Sequence, residues 1–132
     1  MPEARRGDWK TEKMPPKQMP FSLEMDLTPE ELERLRQGHI PAEMEDKWFL
    51  FFEDGVFYAH RSWTGFCIYA IPVTPGGAIR GGMVNRDPEQ YREPDLRRDE
   101  VMARFLITKQ IGRPGLRKLI MDYVELGKGL GK

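Results

Sequence analysis

Residues 21–27 alternate strictly between apolar and polar side chains, which is the pattern of a strand with one buried face. Thr28, Pro29 and Glu31 follow at once. A threonine cap, a proline at the first helical position and a glutamate three residues after the cap are typical of a helix start, and Gly38 supplies a stop. The first part of the chain therefore predicts a strand followed by a short helix.

The most apolar part of the chain, residues 48–73, contains two aromatic runs and a third apolar run, separated by turn sequences. Asp54-Gly55 between the aromatic runs predicts a two-residue hairpin turn. Residues 62–65 predict a second turn, and residues 66–73 a third strand that frays at Pro72. This segment predicts an antiparallel meander at the centre of the fold.

The hairpin turn fixes which side chains share a face of the meander. It places one set of aromatic and histidine side chains together on one face, because directly opposed residues point the same way: Phe49, Phe51, Tyr58 and His60. A four-residue second turn then puts Cys67 opposite His60 and Tyr69 opposite Tyr58. The opposite face would pack on the helices. We expect the aromatic face to be covered by the N-terminal arm, a partner subunit or a ligand, or to stay partly exposed.

Proline, glycine and charge patterns divide the rest of the chain. Residues 1–20 show no period and predict a flexible arm, and residues 74–82 predict a glycine-rich loop before a short strand at 83–85. A helix is predicted to start at Asp95 or a neighbouring residue and to run to about Ile111, and an amphipathic helix follows it before a frayed tail at 128–132. The order predicts one α+β domain over residues 21–127, an antiparallel sheet of about four to five strands with three helices packed mainly on one face.

Composition narrows the classes of function. Lysine plus arginine and aspartate plus glutamate both number 21, so the formal net charge is zero and no global field directs the chain to nucleic acid or to an anionic membrane. Cys67 is the only cysteine, which excludes an internal disulfide and fits a reducing cytoplasm. Zinc-ligand spacing, a signal sequence and an apolar run long enough to span a membrane are all absent. We expect a cytoplasmic protein without metal or cofactor.

The most distinctive polar string is His60-Arg61-Ser62-Trp63-Thr64-Gly65, at the second turn. His60 can titrate near neutral pH, and Arg61 suits bidentate recognition of a phosphate or carboxylate. Trp63 can stack on a base or sugar, while the hydroxyls of Ser62 and Thr64 add hydrogen bonds. Because binding residues are often carried by turns, this string predicts a ligand site.

Other interpretations stay open. The turn can be purely structural, with Trp63 packed on the sheet and Arg61 paired to one of the acids at positions 43, 45 and 46. A small hydrolase-like enzyme would use His60 with a nearby acid such as Asp46, although the sequence fixes no orienting group. The aromatic face could serve a protein–protein interaction or a homodimer. RNA binding is less favoured, because few basic residues lie between the aromatic ones.

Residues 44–49 (MEDKWF) and 60–69 (HRSWTGFCIY) resemble a segment of a bacterial family of uncharacterised proteins. Similar segments also occur attached to ADP-ribose-handling proteins, such as ADP-ribosylglycohydrolases or macro domains. The resemblance implies an accessory module near ADP-ribose or nucleotide chemistry. It does not imply the enzymatic activity itself, because the acidic metal-binding motifs of the glycohydrolases and the glycine-rich loops of macro domains are absent from this sequence.

The leading hypothesis is a non-catalytic binding or accessory module for an anionic nucleotide or an ADP-ribose-type ligand. The candidate ligand-binding residues come from the turn and the adjoining aromatic face: His60, Arg61, Ser62, Trp63, Thr64 and Tyr58. In this hypothesis Arg61 holds the anionic group, Trp63 stacks, and His60 donates or accepts a hydrogen bond. No catalytic residue and no metal ligand is assigned.

Overall fold

The computed structural model of the protein describes the backbone of residues 3–130 and the side chains of residues 3–128. The elements in chain order are β1 (Gln18–Asp26), α1 (Pro29–Gln37), β2 (Trp48–Glu53), β3 (Val56–Arg61), β4 (Cys67–Pro72), β5 (Ala78–Asn85), α2 (Leu96–Ile111) and α3 (Leu116–Leu130). The strands form one antiparallel sheet in the order β1-β5-β4-β3-β2. The predicted α+β class is confirmed.

The start of α1 follows from its capping box. The Thr28 hydroxyl accepts the N–H of Glu31 at 3.2 Å, and the Glu31 carboxylate accepts the N–H of Thr28 at 2.9 Å. Leu32 and Leu35 are buried against the sheet, and Gly38 ends the helix with a φ of +67°. The predicted helix is confirmed. It could be predicted from the sequence because the signals at its start lie within one turn of each other.

The Glu31 carboxylate also joins α1 to the end of α2. It accepts hydrogen bonds from Nε and Nη2 of Arg113, both at 2.8 Å. The Arg113 guanidinium, and then the Thr28 N–H, lower the pKa of Glu31 to about 2. An unfolded glutamate has a pKa of about 4.3, so the stability that these contacts add is present above that value and is lost as the pH falls toward 2.

We expect E31Q to flatten the acid side of the curve of unfolding free energy against pH. The wild-type chain should lose stability between about pH 5 and pH 3, whereas E31Q should lose less over the same interval. Urea unfolding at several pH values measures both slopes. E33Q, which changes an exposed carboxylate on the same helix, is the matched control and should keep the wild-type slope. Equal slopes in E31Q and wild type would contradict the assignment.

The hairpin between β2 and β3 has the predicted register. Phe49 lies opposite His60 and Phe51 opposite Tyr58, and β4 places Cys67 opposite His60. The two central turn residues both have positive φ, 51° at position 54 and 79° at position 55, which is the conformation that an Asp-Gly pair favours. The register therefore follows from the turn chemistry.

The predicted pairing of Tyr69 with Tyr58 is wrong. The register shifts between Ala59 and the next residue, so that Ala59 lies opposite Tyr69 and Tyr58 lies opposite Ala70. The bulge transfers Tyr69 to the helix-covered face, where aromatic rings of β1 and β2 pack on it. The pattern did not reveal the bulge because the additional residue, Ile68, is apolar and buried as well.

The glycine-rich loop predicted over residues 74–82 is also wrong in most of its length. Only residues 74–77 form a turn, and β5 pairs with both β1 and β4. Gly82 shows why glycine is needed within a strand here: a Cβ at this position would lie 2.9 Å from Ile71 and 3.1 Å from Phe21. The glycine serves close packing of neighbouring strands rather than loop mobility.

The two C-terminal helices form successive layers over one face of the sheet. The Asp95 side chain caps α2 by accepting the N–H of Arg97 at 2.9 Å, and Gly112 ends it in the left-handed region. α2 packs on β1 and α1, while α3 packs on α2. α3 continues through Leu130, and the last two residues of the predicted frayed tail lie outside the described residues.

The N-terminal segment lies across the other face of the sheet. The N–H of Ala4 donates to the Gln37 carbonyl at 2.8 Å, and the N–H of Glu12 donates to the Gly65 carbonyl at 2.7 Å. Residues 18–20, which the sequence assigns to the flexible arm, belong to β1. The segment 3–17 is here called the arm. Backbone hydrogen bonds and a few side chains attach it to the sheet face, so its sequence needs no regular hydrophobic period.

Candidate ligand-binding site

The aromatic face of the β2–β3 hairpin is buried under the arm. The Arg6 guanidinium lies 4.8 Å from the ring centroid of Phe51 and 4.9 Å from that of Tyr58. Arg6 also forms an ion pair with Glu53 at 2.8 Å, which raises the pKa of Arg6 and lowers that of Glu53. Of the possible coverings named in the sequence analysis, the N-terminal arm is the one that covers this face in the structure.

His60 lies within this buried face. Its Nδ1 is 2.8 Å from the Gly65 carbonyl oxygen, so Nδ1 carries the proton, and Nε2 has no hydrogen-bond partner among the described residues. Burial lowers the pKa of His60 and raises that of Cys67, on the facing strand, to about 12. Both side chains are therefore neutral at pH 7, and neither opens onto solvent.

The structure does not bring His60 and Asp46 together. Asp46 instead lies beside His39, with Nε2 and Oδ2 3.3 Å apart. The Ala42 N–H, and then His39, lower the pKa of Asp46. This pair lines a 310 Å³ cleft whose lining includes no serine, threonine or cysteine. The arrangement differs from the histidine–acid pair that the hydrolase hypothesis predicts.

The second turn is held by its own hydrogen bonds. The Ser62 hydroxyl donates to the Asp46 carbonyl at 2.6 Å, and the Ser62 side chain is buried. The Thr64 hydroxyl accepts the Phe66 N–H at 3.2 Å, which leaves its proton free for another acceptor. Ser62 thus fastens the turn to the preceding connector, while Thr64 remains exposed.

Trp63 presents its ring to solvent. The side chain is 64% exposed, although its Nε1 donates to the Met44 carbonyl at 2.9 Å. This hydrogen bond fixes one edge of the indole and leaves its surface open. The structural alternative, in which Trp63 packs on the sheet, does not describe this arrangement.

Arg61 lies on the opposite face of β3 from His60. Its guanidinium carbon is 4.4 Å from the Trp48 ring centroid and 5.9 Å from that of Tyr91. Within the described part of the chain, Arg61 forms no ion pair with a carboxylate, including those of residues 43, 45 and 46. A half-buried arginine that aromatic rings position, and no acid neutralises, is available for an anion.

These side chains open onto one cleft of about 420 Å³. Its lining combines two cations, an indole, a hydroxyl, an amide and a thioether: Lys47, Arg61, Trp63, Thr64, Gln90 and Met44. No acidic side chain lines it. Of the predicted site residues, the structure brings together Arg61, Trp63 and Thr64, and adds Lys47, Gln90 and Met44. Tyr58 and His60 lie under the arm, and Ser62 supports the turn from within.

A buried network behind the cleft holds Tyr91 in place. Asp99 accepts hydrogen bonds from the hydroxyls of Tyr69 at 3.0 Å and Tyr91 at 2.9 Å, and pairs with Arg86. Burial raises the pKa of Asp99, and the hydrogen bonds from Arg86 and the two tyrosines oppose this change. The network orients one of the rings that contact Arg61.

The sequence analysis did not single out Asp99. A signal was available. Asp99 lies four residues before Ala103 and eight before Ile107, and both are buried. On a helix these positions share a face, so the spacing places Asp99 on the buried side of α2.

Comparison with protein-family models, curated proteins and solved structures finds no match to the chain. In the region that the structure describes, no helix has both the length and the apolar character needed to cross a membrane. Residues 3–128 also contain no group of three or more histidine, cysteine, aspartate or glutamate side chains placed to hold a metal ion.

Proposed function

We propose that the protein is a non-catalytic binding module that recognises a nucleotide or an ADP-ribose-type ligand in the cleft beside Trp63. The observation that carries the proposal is the state of Arg61, whose guanidinium stacks 4.4 Å from Trp48 and has no acidic partner in the described chain. A partly buried cation without an acid is costly in the free protein, and an anionic ligand relieves that cost.

The cleft offers each part of such a ligand a matching group. Arg61 would hold two phosphate oxygens through its planar fork, and Lys47 would add a second positive charge. Because the rings of Trp48 and Tyr91 already order the guanidinium, little side-chain entropy is lost when a ligand arrives. Two positive groups in one cleft favour a phosphate or pyrophosphate over a neutral ligand.

The exposed indole of Trp63 supports a ligand with a flat, aromatic part. A base stacked on its ring would gain dispersion and hydrophobic contact without needing a particular sequence of hydrogen bonds. The Thr64 hydroxyl and Nε2 of Gln90, whose Oε1 already accepts from Asn85 at 2.9 Å, are then available to sugar hydroxyls or to the edge of the base. Phosphate, sugar and base together describe a nucleotide.

An accessory role fits this cleft better than catalysis. The cleft contains no histidine, acid or thiol that could act as a general acid, base or nucleophile. The resemblance of residues 44–49 and 60–69 to segments attached to ADP-ribose-handling proteins points to the same ligand class. A single, buried cysteine agrees with a cytoplasmic location for such a module.

Isothermal titration calorimetry with AMP, ADP-ribose and inorganic phosphate tests the proposal. We expect the wild-type chain to bind a nucleotide, and R61A to bind it about 10- to 100-fold more weakly, because a charged hydrogen bond contributes about 1.5–3 kcal/mol. W63A should weaken binding of the two nucleotides by a similar factor but leave phosphate binding nearly unchanged. Added salt should weaken all three interactions.

R92A is the matched control, because Arg92 is an exposed arginine that does not line the cleft. It should bind as wild type does. Urea unfolding of R61A must accompany the titrations, since Arg61 also packs on Trp48. Absence of nucleotide binding by the wild-type chain, or equal affinity of folded R61A and R92A, would exclude this function for the cleft.

A further inference from the structure

α3 has two different faces. The inner face packs on α2, where the Tyr123 ring contacts the Arg98 guanidinium at 3.7 Å. The outer face is an apolar patch of large side chains in solvent, Ile120, Met121 and Val124, which are 49%, 63% and 50% exposed. Val124 lies four residues after Ile120 and three after Met121, so the three side chains form one continuous stripe along the helix.

Charged residues of opposite sign mark the two ends of this stripe. Arg117 and Glu125 are both exposed and lie on the same stripe, each four residues from Met121. In the described part of the chain Arg117 has no ion-pair partner, whereas Glu125 forms only a solvent-exposed pair with Lys128 at 3.4 Å. Each charge therefore lies about 6 Å along the helix axis from Met121, on opposite sides of it.

We propose that this stripe, defined by residues 117, 120, 121, 124 and 125, is a self-association surface that pairs α3 with α3 of a second copy in antiparallel orientation. A two-fold axis at Met121 brings Arg117 of one copy to the level of Glu125 of the other, and the reverse pair forms on the other side of the axis. The same operation sets Met121 against Met121 of the second copy and leaves Ile120 about 3 Å along the helix axis from the level of Val124 of the second copy. The stripe is thus complementary to itself in charge, with apolar side chains facing each other between the charged pairs.

The charge pattern favours a second copy over a membrane. Helices that lie on anionic lipid carry an excess of lysine and arginine along the polar border, whereas this stripe carries an acid at one end and a base at the other. A single pair of helices gives an interface below the size of standard stable complexes, so the dimer should be weak, with a dissociation constant on the order of 100 µM.

Sedimentation equilibrium over a wide concentration range tests the pairing. R117E and E125R should each raise the dimer dissociation constant about tenfold or more, because each places like charges together twice across the two-fold axis. The double variant R117E/E125R exchanges the charges and should restore dimerisation to within about threefold of wild type. M121K should abolish dimerisation, since it sets two positive charges at the axis.

R92E is the matched control, since it reverses an exposed charge outside the stripe and should leave the dissociation constant unchanged. Because all the substituted side chains are exposed, circular dichroism should show the wild-type helix content in every variant. A wild-type chain that stays monomeric at every concentration would overturn the proposal. So would a dimer in which the double variant remains as weak as the single variants, because rescue requires the antiparallel arrangement.

Discussion

Replacing Asp99 with alanine is expected to lower the free energy of unfolding by about 3–5 kcal/mol, because it leaves a buried positive charge without its partner. The Asp99 side chain is fully buried, and the Arg86 side chain is only 16% exposed. The change also removes the acceptor of the Tyr69 and Tyr91 hydroxyls, which could then bond only to each other, at 3.2 Å. Small domains are stable by about 5–15 kcal/mol, so this loss is a large part of the total.

Urea unfolding monitored by tryptophan fluorescence measures this effect. E100A is the control, because Glu100 is the next residue of α2 and forms a half-exposed pair with Arg104 at 3.4 Å, for which we expect a change below about 0.5 kcal/mol. Asp99→Asn should fall between them, since it keeps one acceptor oxygen but loses the charge facing Arg86. If D99A is as stable as E100A, the network does not have the structural role assigned to it.

D99A should also weaken the nucleotide binding that we propose for the cleft, in the fraction of the chain that remains folded. Tyr91 would lose the hydrogen bond that orients its ring beside Arg61, and a less ordered guanidinium binds at a larger entropic cost. Loss of stability with unchanged affinity would separate the two roles and confine Asp99 to the core.

Phe51→Ala is expected to lower the free energy of unfolding by about 3–5 kcal/mol, because the ring is buried where the arm covers the aromatic face. The Phe51 ring is fully buried between the Tyr58 ring at 5.1 Å, the His60 ring at 5.4 Å and the Arg6 guanidinium. Its removal leaves a cavity beneath the arm and takes away one of the two rings that contact Arg6. The measurement is again urea unfolding.

Met19→Ala provides the control for this change. Met19 is 48% exposed on β1, so we expect an effect within about 0.5 kcal/mol. Hydrogen exchange gives an independent signal, because the amides of Ala4 and Glu12 donate to carbonyls of α1 and the second turn. They should be protected in wild type and exchange faster in F51A. A loss below about 1 kcal/mol with unprotected amides would mean that the arm leaves this face open.

The two faces of the β2–β3 hairpin have different roles. On one face, Arg6 and the aromatic rings hold the arm, and His60 is enclosed without access to solvent. On the other face, Arg61 reaches the cleft with the exposed Trp63 beside it. Ligand recognition in the proposed function therefore depends on one face only, and changes beneath the arm should alter stability more than affinity.

The candidate site was predicted in part, and the reason lies in the geometry of a strand. The sequence analysis grouped His60 with Arg61 because they are adjacent, but successive residues of a strand point to opposite faces. Arg61 therefore lines the cleft while His60 is enclosed on the other side. Trp63 and Thr64 follow in the turn, where this alternation ends, and both reach the same cleft as Arg61.

Interactions between near neighbours in the chain were determined by the sequence alone. The capping box at Thr28 and Glu31, the Asp-Gly turn and the Asp95 cap each depend on hydrogen bonds or backbone angles within a few residues. The hairpin register followed from its turn. The order of strands and helices followed from the hydrophobic periodicity of successive segments. Each of these signals is complete within one segment, so no distant contact was needed to interpret it.

Contacts between distant segments were decided only by the tertiary structure. The bulge beside Ala59 depends on how three strands pack, and the need for glycine at position 82 depends on the close approach of Phe21 and Ile71. The position of the arm depends on backbone carbonyls at Gln37 and Gly65, which carry no side-chain signature. Burial of Asp99 likewise needs donors from β4 and from the loop after β5, which carries Arg86 and Tyr91. A pattern of apolar and polar residues records which positions avoid water, but not which distant groups meet there.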